Sequence, residues 1–217
     1  MGTFGTVVKF LQEGGFFMWP IAIIFALGIA IAIERYVYIS RQAAMNRSLW
    51  DELAPHLQAG NFKAAVDLTR NSTSAIGSIL NYGLARIKSA RRREDIEKAM
   101  EESLMEVMPK LERRTHYLPT FANIATLLGL LGTIVGLIQA FQAVGAANPA
   151  EKADLLSASI SVAMNTTAFG LIVAIPLLLV HSFIQSKTTE VIDSLEMASV
   201  KFLNSITESP GASQDQA

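Results

Sequence analysis

The residues that could do chemistry in this chain are neutral oxygens set in apolar surroundings. Thr133 stands within Gly129-Leu130-Leu131-Gly132-Thr133-Ile134-Val135-Gly136. Asn165, Thr166 and Thr167 stand within Met164-Asn165-Thr166-Thr167-Ala168-Phe169-Gly170, and Ser159 precedes them by about two helical turns. Hydroxyl and amide oxygens do not titrate near neutral pH. They can bridge helices, back-bond to a carbonyl four residues earlier, or replace part of a cation's hydration shell. Packing and ion passage therefore both stay open on composition alone.

Other chemistries find no constellation. Cysteine is absent, which removes disulfides, thiolate catalysis and cysteine metal sites. The three histidines, His56, His116 and His181, stand apart from one another, and no HExxH, GxSxG or GxxxxGK[ST] pattern occurs. The glycines between 129 and 136 lack the strand–turn–helix setting of a dinucleotide loop. No enzyme, metal or cofactor is expected. Net charge is −1, so no overall basic field draws in nucleic acid. The arginine runs at 91–93 and 113–114 are interleaved with Glu94, Asp95, Glu97, Glu101, Glu102, Glu106 and Glu112, the pattern of a solvated helix face.

The elements that hold the oxygens are apolar and long. Hydrophobic residues make up 51% of the chain and charged residues 17%. Three stretches reach the roughly 20 apolar residues that a bilayer-crossing helix needs, at 16–39, 120–144 and 155–184. Phe16, Phe17 and Trp19 open the first and Tyr36 and Tyr38 close it, matching an aromatic belt at each interface. Glu34 and Arg35, near its end, are expected to snorkel or pair at the interface. Of the 18 Lys and Arg, Lys9 precedes the first span, Lys152 lies between the second and third, and Lys187 and Lys201 follow the third. Apart from Arg35, the others fall between the first and second spans. The positive-inside rule then puts the N-terminus and the 145–154 loop outside, and the 40–119 segment and the C-terminus in the cytoplasm.

The predicted architecture is all-α: a polytopic membrane protein with three transmembrane helices, two of them extended into a cytoplasmic helical bundle. Residues 1–15 read as an interfacial amphipathic helix stopped by Gly14-Gly15. Residues 40–119 read as a cytoplasmic helical domain, broken at Gly60-Asn61-Phe62 and at 71–74. From Glu94 the apolar stripe Ile96, Met100, Leu104, Val107, Met108, Leu111 predicts a helix kinked at Pro109 and running on through Leu118-Pro119 into the second span. Ile192, Leu195, Phe202 and Ile206 predict a C-terminal helix over 185–208 packed beside it, and 209–217 reads as a disordered tail.

Small residues define the inner faces of the last two spans. Gly129, Gly132, Gly136 and Ala140 share one face, with Thr133 beside them. Ser159, Ala163, Thr166, Thr167, Gly170 and Ala174 share another, and Pro176 is tolerated within a membrane helix. Gly129, Gly132, Gly136, Gly170 and Pro176 are the expected packing positions. Thr133 lies about fourteen residues into its span from the cytoplasmic side and Thr167 about seventeen from the cytoplasmic end of its own. At 1.5 Å per residue the two hydroxyls share one depth near mid-membrane. No Asp, Glu, Lys or Arg lies deep in any span, so a titrating group for proton movement has to come from elsewhere.

These stretches carry a resemblance. Leu111-Glu112-Arg113, Leu118 and the run from Leu127 to Phe141 resemble the second-helix signature of the MotA/TolQ/ExbB proton-channel proteins. The run from Thr166 to Pro176 resembles the third-helix signature, and Ile33-Glu34-Arg35 the end of the first helix. Three spans are closer to the ExbB/TolQ branch than to the four-span MotA branch. The resemblance implies an inner-membrane ring of these subunits, usually five. It also implies an ExbD/TolR-like single-span partner supplying a membrane aspartate, and an ion gradient converted to mechanical work. Thr133 and Thr167 match the family's pore threonines, and with the neighbouring neutral oxygens of Thr166, Asn165 and Ser159 they form the expected ion pathway. Many ExbB and TolQ proteins carry a glutamate five residues before the third-helix threonine, where this chain has Val162. Neutral oxygens without that carboxylate suit a hard cation such as Na+ better than they suit proton transfer, so sodium coupling stands beside proton coupling as an expectation. The alternative is a non-conducting membrane scaffold that only assembles partner helices.

Overall fold

The computed structural model describes residues 15–87, 89–90, 92–146 and 148–208. The helix read at 1–15, apart from Gly15, and the tail at 209–217 lie outside them. Among the described residues six helices follow in chain order: α1 Met18–Gln58, α2 Phe62–Arg70, α3 Ala75–Arg86, α4 Arg93–Glu112, α5 Tyr117–Ala146 and α6 Lys152–Glu208. No strand occurs among the described residues. The chain is all-α, and three of its helical runs are long and apolar enough to cross a membrane.

Local chemistry sets the boundaries. Gly15 and Gly60 adopt positive φ, which only glycine does without strain. After α1, Asn61 N–H donates to the His56 carbonyl at 2.9 Å and Gly60 N–H to that of Leu57 at 3.1 Å. This is the two-bond closure of a helix at a left-handed glycine. Asn61 then caps α2 by accepting from Ala64 N–H at 3.2 Å, and Ser74 caps α3 by accepting from Gly77 N–H at 3.1 Å. Asp95 accepts from Arg92 N–H at 3.2 Å at the start of α4.

One expectation is corrected. The helix from Glu94 does continue through Pro109, but it does not run on into the second span. It stops at Glu112, a turn occupies 113–116 with Arg114 at φ 64°, and α5 begins at Tyr117. Pro119 favours the break, though Pro109 and Pro176 are carried inside helices. In an unbroken helix Pro119 has no N–H for the Thr115 carbonyl and its ring crowds that group. A helix restarted at Tyr117 places Pro119 in a first turn, where the missing donor costs nothing. In contrast, the third span and the C-terminal helix form a single element, α6, passing Pro176 without interruption.

The chain divides into two compact units. The first comprises Met1–Glu34 and Arg114–Phe183, and so takes in the N-terminal part of α1, α5 and the first part of α6. Its interior mixes small side chains, with Ala122, Ala125, Ala140, Ala163 and Ala174 buried, and a few large ones, Met18, Ile21, Leu118, Val173 and Leu177. Many other large apolar side chains point outward, with Phe141 66% and Leu179 67% exposed. Alanines inside and so many large apolar side chains outside depart from the pattern of a water-soluble core. It is the arrangement by which membrane helices meet closely and present hydrocarbon to lipid or to further helices.

The second unit comprises Arg35–Arg113 and Ile184–Ala217. It follows water-soluble rules. Leu53, Ile79, Leu80, Met100, Leu111, Leu195 and Phe202 are fully enclosed in one cluster. A Cβ on Gly83 of α3 would meet both the Met100 sulfur and the Phe202 ring, so α4 and α6 pack together against α3 there. Arg93 also donates to Asn204 Oδ1 at 2.8 Å. The expected pairing of the α4 stripe with the C-terminal stripe is thus present.

Candidate functional site

Glycines create the site. A Cβ built on Gly170 would sit 2.7 Å from the Ala125 carbonyl oxygen and 3.2 Å from Gly129 Cα. One on Gly132 would sit 2.5 Å from the Thr166 methyl, and one on Gly136 2.9 Å from Ala163 Cβ. The α5 and α6 backbones therefore touch along Gly129–Gly136, which residues with side chains cannot match. Pro176 lies on an exposed part of α6. Packing near it comes from its neighbour Leu177, whose branched end abuts Gly28 of α1. Gly28 does not stand out in the sequence, because Ala22, Ala26, Ala30 and Ala32 surround it in the same span.

The close approach brings oxygens together. Thr133 Oγ1 and Thr167 Oγ1 hydrogen-bond directly across α5 and α6. Thr167 Oγ1 also donates to the Gly129 carbonyl at 2.8 Å. Thr133 Oγ1 lies 3.3 Å from both the Gly129 and Ala163 carbonyls. Two hydroxyls and two carbonyls therefore converge at one place, and both threonines are only half-buried. If Thr167 gives its proton to Gly129 and Thr133 gives its proton to Thr167, lone pairs on Thr133 stay available.

The other expected oxygens behave differently. Thr166 is 2% exposed; its hydroxyl back-bonds to the Val162 carbonyl at 3.1 Å and its methyl fills the notch at Gly132. Asn165 and Ser159 are half-buried, and neither is brought into hydrogen-bond contact with Thr133 or Thr167. Val162 is partly exposed.

The acid and base at the end of the first span separate. Glu34 pairs with Arg114 at 2.9 Å, and both side chains are about half exposed. Arg35 does not snorkel. It is 3% exposed, donates to the Leu111 carbonyl and lies 5.0 Å from the Tyr38 ring centroid. The helix break explains this. Ending α4 at Glu112 leaves the Leu111 carbonyl without an amide donor four residues on, and a guanidinium at a helix C-terminus supplies one with favourable dipole sign. An exposed pair such as Glu34–Arg114 contributes little. Glu34→Gln is therefore expected to change unfolding free energy by less than about 1 kcal/mol, measured by denaturant titration in detergent. A larger loss would mean that the carboxylate has a further partner.

The model of the MotA/TolQ/ExbB proton channel family matches residues 71–197, a stretch that includes α5 and the threonine-bearing part of α6. The chain belongs to this family. It is 29% identical over 196 residues to a biopolymer transport protein ExbB homolog of Methanothermobacter thermautotrophicus, covering 89% of this chain and 68% of that one. It is 28% identical over 170 residues to the biopolymer transport protein exbB1 of Vibrio cholerae, covering 76% and 73%. It is 31% identical over 178 residues to a biopolymer transport protein ExbB-like 3 of Synechocystis, covering 81% and 83%. The MotA/TolQ/ExbB family is one of channel and transport proteins, not of enzymes. Together with the three apolar helices it makes this chain a multi-pass inner-membrane protein with a role in an energy-transducing complex of the ExbB/TolQ type.

Proposed function

We propose that this chain is a ring-forming ion-channel subunit that couples a proton or sodium gradient to mechanical work through an ExbD/TolR-like partner. The observation that carries this is the convergence of the Thr133 and Thr167 hydroxyls with the Gly129 and Ala163 carbonyls, half-buried on the two helices that bear the family's signatures. The exposed apolar surface of the first unit supports assembly with further copies, expected to be five. The Lys/Arg distribution supports an external N-terminus, with the second unit and the C-terminus in the cytoplasm.

The site holds no titrating group, so a membrane aspartate on the partner completes it. Four neutral oxygens match a hard cation. With Val162 in place of a carboxylate, sodium is the ion the cluster favours. The second reading, a scaffold, draws on the same hydrogen bonds, since hydroxyls that satisfy one another across α5 and α6 also hold helices together.

The complex with its single-span partner, reconstituted in liposomes, is expected to carry sodium inward down an imposed gradient and to stall when potassium replaces sodium. Activity that persists without sodium but collapses with a protonophore would assign the coupling to protons. Failure to copurify with such a partner, together with absence of flux of either ion, would overturn the channel reading.

A further inference from the structure

The second unit contains a cavity of about 600 Å³ between α1 and α6, beside the start of α3. Its size is that of a small-molecule site, typically about 300–1,000 Å³. Ile39, Ile76, Val191 and Met197 give it apolar walls, and Trp50 lines it as well. Arg47, Lys187 and Lys201 also line it, against one acid, Glu190. Lys187 is engaged by Ser40 Oγ at 3.2 Å and by the Tyr36 ring, and Lys201 lies 6.0 Å from the Trp50 ring centroid. Among the described residues neither Arg47 nor Lys201 is in an ion pair.

A second observation points to a ligand. Asn46 lines the cavity and is 4% exposed. Its Oδ1 accepts from Ile76 N–H at 3.1 Å, at the first turn of α3, which fixes which end of the amide is which. Its Nδ2 is left with no acceptor. A buried donor without a partner is costly, and an oxygen brought in by a ligand relieves that cost.

We propose that this cavity binds a small anionic amphiphile: a molecule with an apolar or aromatic body and a carboxylate, phosphate or sulfonate end. The body lies against Ile76, Val191 and Trp50, the acidic end meets Lys201 and Arg47, and a small turn of the Asn46 side chain brings its amide to an acceptor oxygen. This assignment does not depend on ion conduction.

The probe is 8-anilinonaphthalene-1-sulfonate, which has this chemistry. The chain has two tryptophans, Trp19 and Trp50. The Trp19→Phe protein therefore reports from Trp50 alone. In nanodiscs of neutral phosphatidylcholine, saturable energy transfer from Trp50 to the probe is expected. Lys201→Gln, on the solvent side, and Ser194→Phe, which fills the cavity, should each weaken binding about tenfold, the effect of losing one charge-assisted contact. Circular dichroism confirms that each variant is folded. Should Ser194→Phe not fold, Lys201→Gln carries the test. Displacement by free decanoate identifies a soluble acid as the source, and displacement only when phosphatidylglycerol enters the disc identifies a lipid headgroup. Either supports the assignment. Equal affinity in both variants, or no saturable transfer in Trp19→Phe, overturns it. So does disulfide trapping of Met197→Cys to a second copy with the probe excluded, because the cavity is then a seat for another subunit.

Discussion

Gly170→Leu is expected to leave no stably folded first unit, and Gly170→Ala is expected to destabilise it by about 1–3 kcal/mol, the cost of forcing atoms into a packed interior. The obstacle is backbone, not side chain. The added carbon would meet the Ala125 carbonyl oxygen at 2.7 Å and Gly129 Cα at 3.2 Å. Neither has a rotamer to escape into, so α5 and α6 have to separate. Separation at this point also pulls Thr133 away from Thr167, since Thr167 bonds the Gly129 carbonyl directly opposite. Gly132→Ala is expected to be milder. Its obstruction is the methyl of Thr166, a side chain that can move at the expense of its buried position. Gly145→Ala is the control, because nothing lies within 4 Å of its added carbon. Thermal unfolding in detergent, followed by helix signal, checks the ranking. A Gly170→Ala protein as stable as Gly145→Ala would mean that the helix contact is looser than the geometry requires.

The parts legible in the sequence were those governed by a single physical scale. Apolar length and missing charge fixed the three spans, because hydrocarbon tolerates neither unpaired backbone nor isolated ions. Helical rise placed Thr133 and Thr167 at one depth, and the structure has them bonded. The glycine faces followed from small-residue spacing. What escaped were features requiring two distant segments at once. The bond from Arg35 depends on α4 ending at Glu112, ahead of a turn whose restart puts Pro119 in a first turn. Neither residue alone predicts the bond to Leu111. Asn46 escaped for the same reason: its role depends on the start of α3 arriving beside it. Thr166 and Thr167 are adjacent in the sequence and share one residue type, yet successive helical positions point about 100° apart. One faces Gly132 and is buried in packing; the other joins the oxygen cluster.

Thr133→Val and Thr167→Val are each expected to reduce ion-driven activity by about 10- to 150-fold while the complex still assembles. That range corresponds to loss of one oxygen contact to a charge, about 1.5–3 kcal/mol. Valine keeps the threonine shape, so helix packing loses one neutral hydrogen bond in Thr133→Val and two in Thr167→Val, each about 0.5–1.5 kcal/mol. Serine gives the opposite cut: it keeps the hydroxyl and removes the methyl. A pathway therefore tolerates Thr133→Ser and fails with Thr133→Val. A scaffold shows the reverse order, because a missing methyl opens a gap between α5 and α6 whereas valine fills it. The measurement is flux or driven activity per assembled complex, with assembly read from size and partner copurification. The double variant sharpens the result. Because the two hydroxyls bond each other and share the Gly129 carbonyl, their stability effects should not add. If both hydroxyls also contact the ion, flux should fall further in the double variant than in either single one. Non-additive stability with additive loss of flux would separate oxygens that serve an ion from oxygens that only join two helices.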